Sequence, residues 1–162
     1  MFRRTVSAAL VLGAIALGTA GCSFSRDVAS LNMYSPSDGQ QTNLDFVKAR
    51  NMMILVAEDG TSYLIGSLVS TNPEPEVIKI QYISPETKLR SDAYFEIPAL
   101  SKLDLGYNGN PAVNLPIVEV PGQTAKLYIL ESDLVSSSLQ VPVLDGTLSE
   151  YRMVLEQLQL AE

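Results

Sequence analysis

From Leu44 onward the chain is written in short apolar runs, each closed by glycine, proline or asparagine, and no run keeps a helical period until residue 149. That punctuation restricts the chain to short strands joined by tight turns. Residues 51–57, Asn-Met-Met-Ile-Leu-Val-Ala, read as a buried strand that stops at Glu58-Asp59-Gly60. Asp-Gly between two apolar runs is a strong hairpin signal, so 63–70 is the expected return strand. Asn72-Pro73-Glu74-Pro75 breaks the chain, because neither proline can donate to a ladder. Residues 77–83 alternate cleanly, with Ile78, Ile80 and Tyr82 on one face and Lys79 and Gln81 on the other. Further strands are expected at 89–97, 97–105, 113–120, 125–131 and 139–144, with Gly106-Tyr107-Asn108-Gly109-Asn110-Pro111 and Pro121-Gly122 as turns. Evenly spaced short strands with frequent turns predict an all-β, antiparallel sandwich. Only the end differs: Tyr151, Leu155 and Leu158 recur at helical spacing, which predicts a short C-terminal helix over 149–160.

The N-terminus has another design. Arg3 and Arg4 precede an uncharged apolar run, and small residues lead into Cys22, the single cysteine of the chain. A positive start, an apolar centre and a small-residue end are the three parts of a secretory signal. A cysteine at the cut makes Gly21/Cys22 a lipoprotein processing site, with Cys22 as the lipidated first residue. A spanning helix needs roughly 20 predominantly apolar residues, and Ser7, Gly13, Gly18, Thr19 and Gly21 dilute this run. Thr19 departs from the aliphatic residue usual three places before the cysteine. Two acyl chains at Cys22 would hold the protein lastingly, at ~0.8 kcal/mol per buried CH₂.

Four segments follow: a signal peptide at 1–21, a lipid-anchored tether at 22–43, a sandwich domain at 44–145 and a helical tail at 146–162. The tether is rich in Ser, Asn, Gln and Asp and shows no period. As a flexible coil it spans ~25 Å end to end.

Composition excludes several functions. The chain has 18 acidic against 11 basic residues, and Arg3 and Arg4 leave with the signal, so the rest is more negative than the −7 of the whole. Nucleic acid is not an expected partner for such a surface. With Cys22 lipidated, no internal disulfide can form. The chain contains no histidine, which removes the usual acid–base agent at neutral pH and every Ser-His-Asp or Cys-His arrangement. Zinc prefers Cys and His. Thioethers select Cu(I), and Met33, Met52, Met53 and Met153 remain after the signal, but adjacent strand residues such as Met52 and Met53 point to opposite faces. The expectation is therefore no enzyme, no cofactor and no metal ligand. Paired acids such as Glu58/Asp59 and Glu74/Glu76 read as solvated turn charges.

Three motifs, Tyr34-Ser35-Pro36-Ser37-Asp38-Gly39, then Arg50-Asn51, then Val141-Pro142-Val143-Leu144-Asp145-Gly146-Thr147-Leu148-Ser149-Glu150-Tyr151, resemble actinobacterial lipoproteins of the LpqE-like group. These are relatives of the periplasmic copper chaperones called PCu(A)C. The resemblance implies a Greek-key sandwich of cupredoxin or immunoglobulin-like type on a lipid anchor. It also implies an accessory place beside the cytochrome bcc–aa3 respiratory assembly. The family's His-x-Met copper motif would fall at Asn108, Gly109, Asn110, Pro111 and Ala112, none of which is His or Met. No metal ligand is carried over.

The leading expectation is a non-catalytic binding or accessory module. It would be held by lipid at the extracytoplasmic face of the cell membrane and touch a membrane-protein complex there. A copper chaperone with non-His ligands is the first alternative, and a carrier of small ligands or lipids the second.

Overall fold

The computed structural model describes residues 37–160. The span read as a signal peptide, Cys22 and most of the span read as a tether lie outside the described residues. Among the described residues eight strands and one helix follow in order: β1 Gln40–Asn43, β2 Val47–Val56, β3 Ser62–Ser70, β4 Glu76–Ile83, β5 Arg90–Ile97, β6 Lys102–Leu105, β7 Thr124–Leu130, β8 Ser136–Asp145 and α1 Ser149–Gln159. The Asp59-Gly60 turn joins β2 to β3 as expected, with Gly60 at φ +87°.

Strand order is β5-β4-β7-β8-β2-β3-β6, with β1 added against β2. The arrangement is a sandwich whose two layers share β8. The first part of β8 runs antiparallel to β7, from Ser136 opposite Leu130 to Pro142 opposite Thr124. Its last residues cross to the other layer and pair with β2, Ile54 opposite Val143 and Val56 opposite Asp145. This second pairing is parallel, so the sheet is mixed rather than wholly antiparallel.

Side chains from both layers meet in one core. Val47, Ala49, Met52, Ile54, Leu64 and Leu68 come from one layer, and Ile78, Ile80, Ala125, Leu127, Ile129 and Val141 face them from the other. Each is removed from water, and full burial of one Leu, Ile, Val or Met side chain contributes about 1.5–3 kcal/mol. The expected alternation is present: Ile78 and Ile80 are buried, and Tyr82 packs partly against the same core.

A smaller core lies on the outer face of β2 and β3. Met53, Leu55, Ala57, Tyr63 and Ile65 project there and are covered by Leu155 and Leu158 of α1, with Tyr107, Tyr151 and Val154 at its margin. The helix therefore closes the sheet instead of trailing as a tail. Its residues Tyr151, Leu155 and Leu158 are those that the period picked out. Glu150 lies in its first turn, where a negative charge suits the helix dipole.

Three segments differ from expectation. Gln40–Asn43 pair with β2, so the span read as tether to residue 43 contributes its last four residues to the sheet. Residues 113–120 are not a strand. Leu64 N–H donates to Val113 O at 2.9 Å, Leu115 N–H donates to Ser62 O at 2.9 Å, and a single bridge joins Tyr63 to Asn114. The apolar run at 97–105 is likewise split, with β5 ending at Ile97 and β6 starting at Lys102.

Candidate functional site

The loop after β6 holds the positions where the resemblance would put copper ligands, and its geometry is dominated by one carboxylate. In β6 the side chains of Leu103 and Leu105 turn toward the main core, so Asp104 is thrown to the outer face. It is nevertheless only 6% exposed, because the loop folds back across it. Gly106, at φ +72°, makes that reversal. A side chain there would also strike Ile65, whose Cδ1 is 2.8 Å from where its Cβ would sit.

Asp104 is held by three donors. Ser67 Oγ–H donates to Oδ1 at 2.7 Å, Asn108 Nδ2–H donates to Oδ2 at 2.9 Å, and Lys102 Nζ lies 2.8 Å from Oδ2. The Tyr107 hydroxyl is bonded in turn to Ser67 Oγ. Burial works against ionisation here. Asn108, Lys102 and Ser67, with Tyr107 behind Ser67, outweigh it together and hold the carboxyl far below the usual carboxylate range. Burial pushes the Tyr107 phenol upward, the opposite direction.

An ionised carboxylate so fully engaged acts as a brace. It ties β3, β6 and the loop into one unit and is poorly placed to abstract a proton or accept a metal. Lys102 is paired with it, and Asn108 points its amide inward to it. Among the described residues no three Asp, Glu, His or Cys side chains converge as a metal site.

The methionines do not converge either. Met52 is buried in the main core and Met53 in the helix-covered one, on opposite faces of β2. Met153 stands exposed on α1. Met33 and Cys22 lie outside the described residues.

A second concavity runs along α1. It has a volume of about 930 Å³ and is lined by Glu58, Asp59, Asp145, Glu156 and Arg152 among others. Two of these acids are turn closures: Asp59 Oδ1 accepts from Thr61 N–H at 2.9 Å and Asp145 Oδ1 from Thr147 N–H at 3.0 Å. Those bonds to Thr61 and Thr147 hold both carboxyls below their ordinary values. The groove is open and mixes apolar residues, such as Val56, Pro121 and Leu155, with these acids. No described helix is long and apolar enough to cross a membrane.

Described residues of the motifs that carried the resemblance meet in space. Asn51 Oδ1 accepts from Ser37 Oγ–H at 2.7 Å and from Gly39 N–H at 3.0 Å. Arg50 reaches Thr42 O at 3.0 Å and Asn43 Oδ1 at 2.6 Å, and the Tyr151 hydroxyl bonds Asp38. Segments far apart in sequence thus form one clamp that seats β1 and α1 on β2. Its role is architectural. Asp104 was missed in the sequence because Lys-Leu-Asp-Leu alternation marks it as solvent-facing; the donors Ser67 and Asn108 carry no signal until the loop closes.

No family model matches this chain, and no curated protein matches it. Among solved structures, a copper-bound PCuAC domain from PmoF2 is similar at 14% identity and a TM-score of 0.47, covering 66% of this chain and 99% of that one.

Proposed function

We propose that this chain is a membrane-anchored lipoprotein that works by contact, as a non-catalytic accessory module at the extracytoplasmic face of a membrane-protein complex. Cys22 carries the lipid, and the sandwich is the part that touches the partner. The observation that carries this reading is the state of Asp104. The buried carboxylate beside the copper-motif loop is committed to Ser67, Asn108 and Lys102, so the loop is a rigid surface and not a ligand set. The resemblance to LpqE-like lipoproteins points to a respiratory assembly as the partner.

The test is capture of the tagged full chain from native membranes in a mild neutral detergent, followed by size exclusion and mass spectrometry. The expected result is a diacylglyceryl mass on an N-terminal Cys22, with an integral membrane complex in constant ratio through the column. Recovery of the chain alone, or of an unmodified cysteine, sinks the reading.

A further inference from the structure

The outer face of the β5-β4-β7-β8 layer is exposed and carries side chains that the core does not use. The register places Gln81 opposite Tyr128 and Asp92, Tyr128 opposite Ser138, and Lys126 opposite Gln140. Their neighbours Ile80, Leu127, Ile129 and Leu139 point inward, which fixes these residues outward. Two cations gather on one ring there. The Arg90 guanidinium carbon is 4.1 Å from the centroid of Tyr128, and Lys126 Nζ is 5.0 Å from the same centroid. Arg90 starts β5 and reaches across β4 to do this.

Among the described residues the one ion pair is Lys102 with Asp104, so neither Arg90 nor Lys126 has a carboxylate at pairing distance. The nearby acid, Asp92, accepts from Gln81 Nε2–H at 2.9 Å and from the Tyr94 hydroxyl at 3.3 Å. In a chain with an acidic excess, two unpaired cations held beside one phenol mark a local positive field. Lys126 first, and then Arg90, draw the Tyr128 phenol below its ordinary pKa, which reports the same field. Beside them Ser138 and Gln140 are exposed donors. A guanidinium and an ammonium gathered at one phenol ring are complementary to a multivalent oxyanion.

We propose that Arg90, Lys126 and Tyr128 form a binding site for a phosphate group on the outer face of this sheet. The site is independent of the lipid anchor and of the accessory role. The phosphate could belong to free inorganic phosphate or to a phospholipid headgroup, and the test separates them.

The full chain, labelled at its tyrosine rings with ¹³C and held in neutral detergent, is titrated at constant ionic strength. One arm uses inorganic phosphate, one uses micelles doped with phosphatidylglycerol, and chloride is the control. The Tyr128 resonance is assigned by Tyr128→Phe. The expected result is a saturable shift of Tyr128 in at least one of the two phosphate arms and none with chloride. Arg90→Gln and Lys126→Gln should each weaken binding about tenfold, the size of one lost charge-assisted hydrogen bond. Saturation with inorganic phosphate identifies a free-phosphate site; saturation only with doped micelles identifies a headgroup site. No saturable shift in either arm, an equal shift with chloride, or unchanged binding in both glutamine variants overturns the proposal. Both positions are exposed, so the remaining tyrosine signals confirm that the variants stay folded.

Discussion

The side-chain oxygen of Asn51 lies 3.0 Å from the amide nitrogen of Gly39, and the two backbones touch there so closely that a Cβ on Gly39 would stand 2.5 Å from the Asn51 carbonyl carbon. Asn51 itself sits at φ +50°, where the pairing of β2 with β3 slips register. A bulge thus aims one amide oxygen at the chain entering the sheet, and that oxygen also takes the Ser37 hydroxyl.

Gly39→Ala should therefore cost more than an ordinary surface change, about 1–3 kcal/mol, because backbone and not a flexible side-chain tip must give way. Asn51→Ala should cost a similar amount by losing both bonds at a left-handed position, whereas Asn51→Asp keeps the acceptor and should retain most of the stability. Urea unfolding of the three variants decides this. Equal losses for Ala and Asp at position 51 would show that the oxygen is not what matters.

Asp104 predicts an acid dependence. Its carboxyl ionises far more readily folded than unfolded, so its contribution is complete above the unfolded carboxylate range, near pH ~4, and drains away as the pH falls below it. Asp104→Asn should cost about 2–4 kcal/mol near neutrality, since an amide cannot accept from Ser67, Asn108 and Lys102 together. The gap between wild type and variant should narrow on acidification below pH ~4. A gap that stays constant from neutral to strongly acid conditions would show that the charge is not the stabilising element.

Tyr151 predicts the opposite, alkaline dependence. Burial and then the Asp38 carboxylate raise its phenol to about 12. The folded state thus favours the neutral phenol: stability is full below the ordinary tyrosine value of ~10 and is lost as the pH climbs from there to about 12. Tyr151→Phe should lower stability at neutral pH by about 0.5–1.5 kcal/mol and flatten the alkaline decline. The flattening is partial, because the Tyr107 phenol is shifted in the same direction. Chemical denaturation between pH 8 and 12 measures both.

The two adjacent methionines predict the behaviour of core fillers. Met52→Leu and Met53→Leu conserve volume and should each cost less than about 1.5 kcal/mol, while Met52→Ala should cost about 2–5 kcal/mol. Neither leucine variant should alter Cu(I) affinity, because the two thioethers project into different cores. A copper affinity that falls in both variants would require the strand to twist both sulfurs onto one ion.

Much of the architecture was legible because it is local. Ile78 and Ile80, or Ala125, Leu127 and Ile129, name their buried face by alternation alone, and Asp59-Gly60 names its hairpin by what a tight turn demands. Tyr151, Leu155 and Leu158 name the helix by period. The run at 113–120 misled because its composition suits a strand, while only one bridge to β3 forms.

What the sequence determined by itself, then, is most of the strands, their buried faces and a body without imidazole, since each follows from neighbours in the chain. What only the tertiary structure decided is which distant segments meet. The crossing of β8 from Ser136 beside β7 to Asp145 beside β2, the burial of Asp104 under its own loop, and the gathering of Arg90 and Lys126 on Tyr128 all depend on pairings between remote residues. Such pairings are set by the summed packing of two layers, and no window of sequence contains that sum.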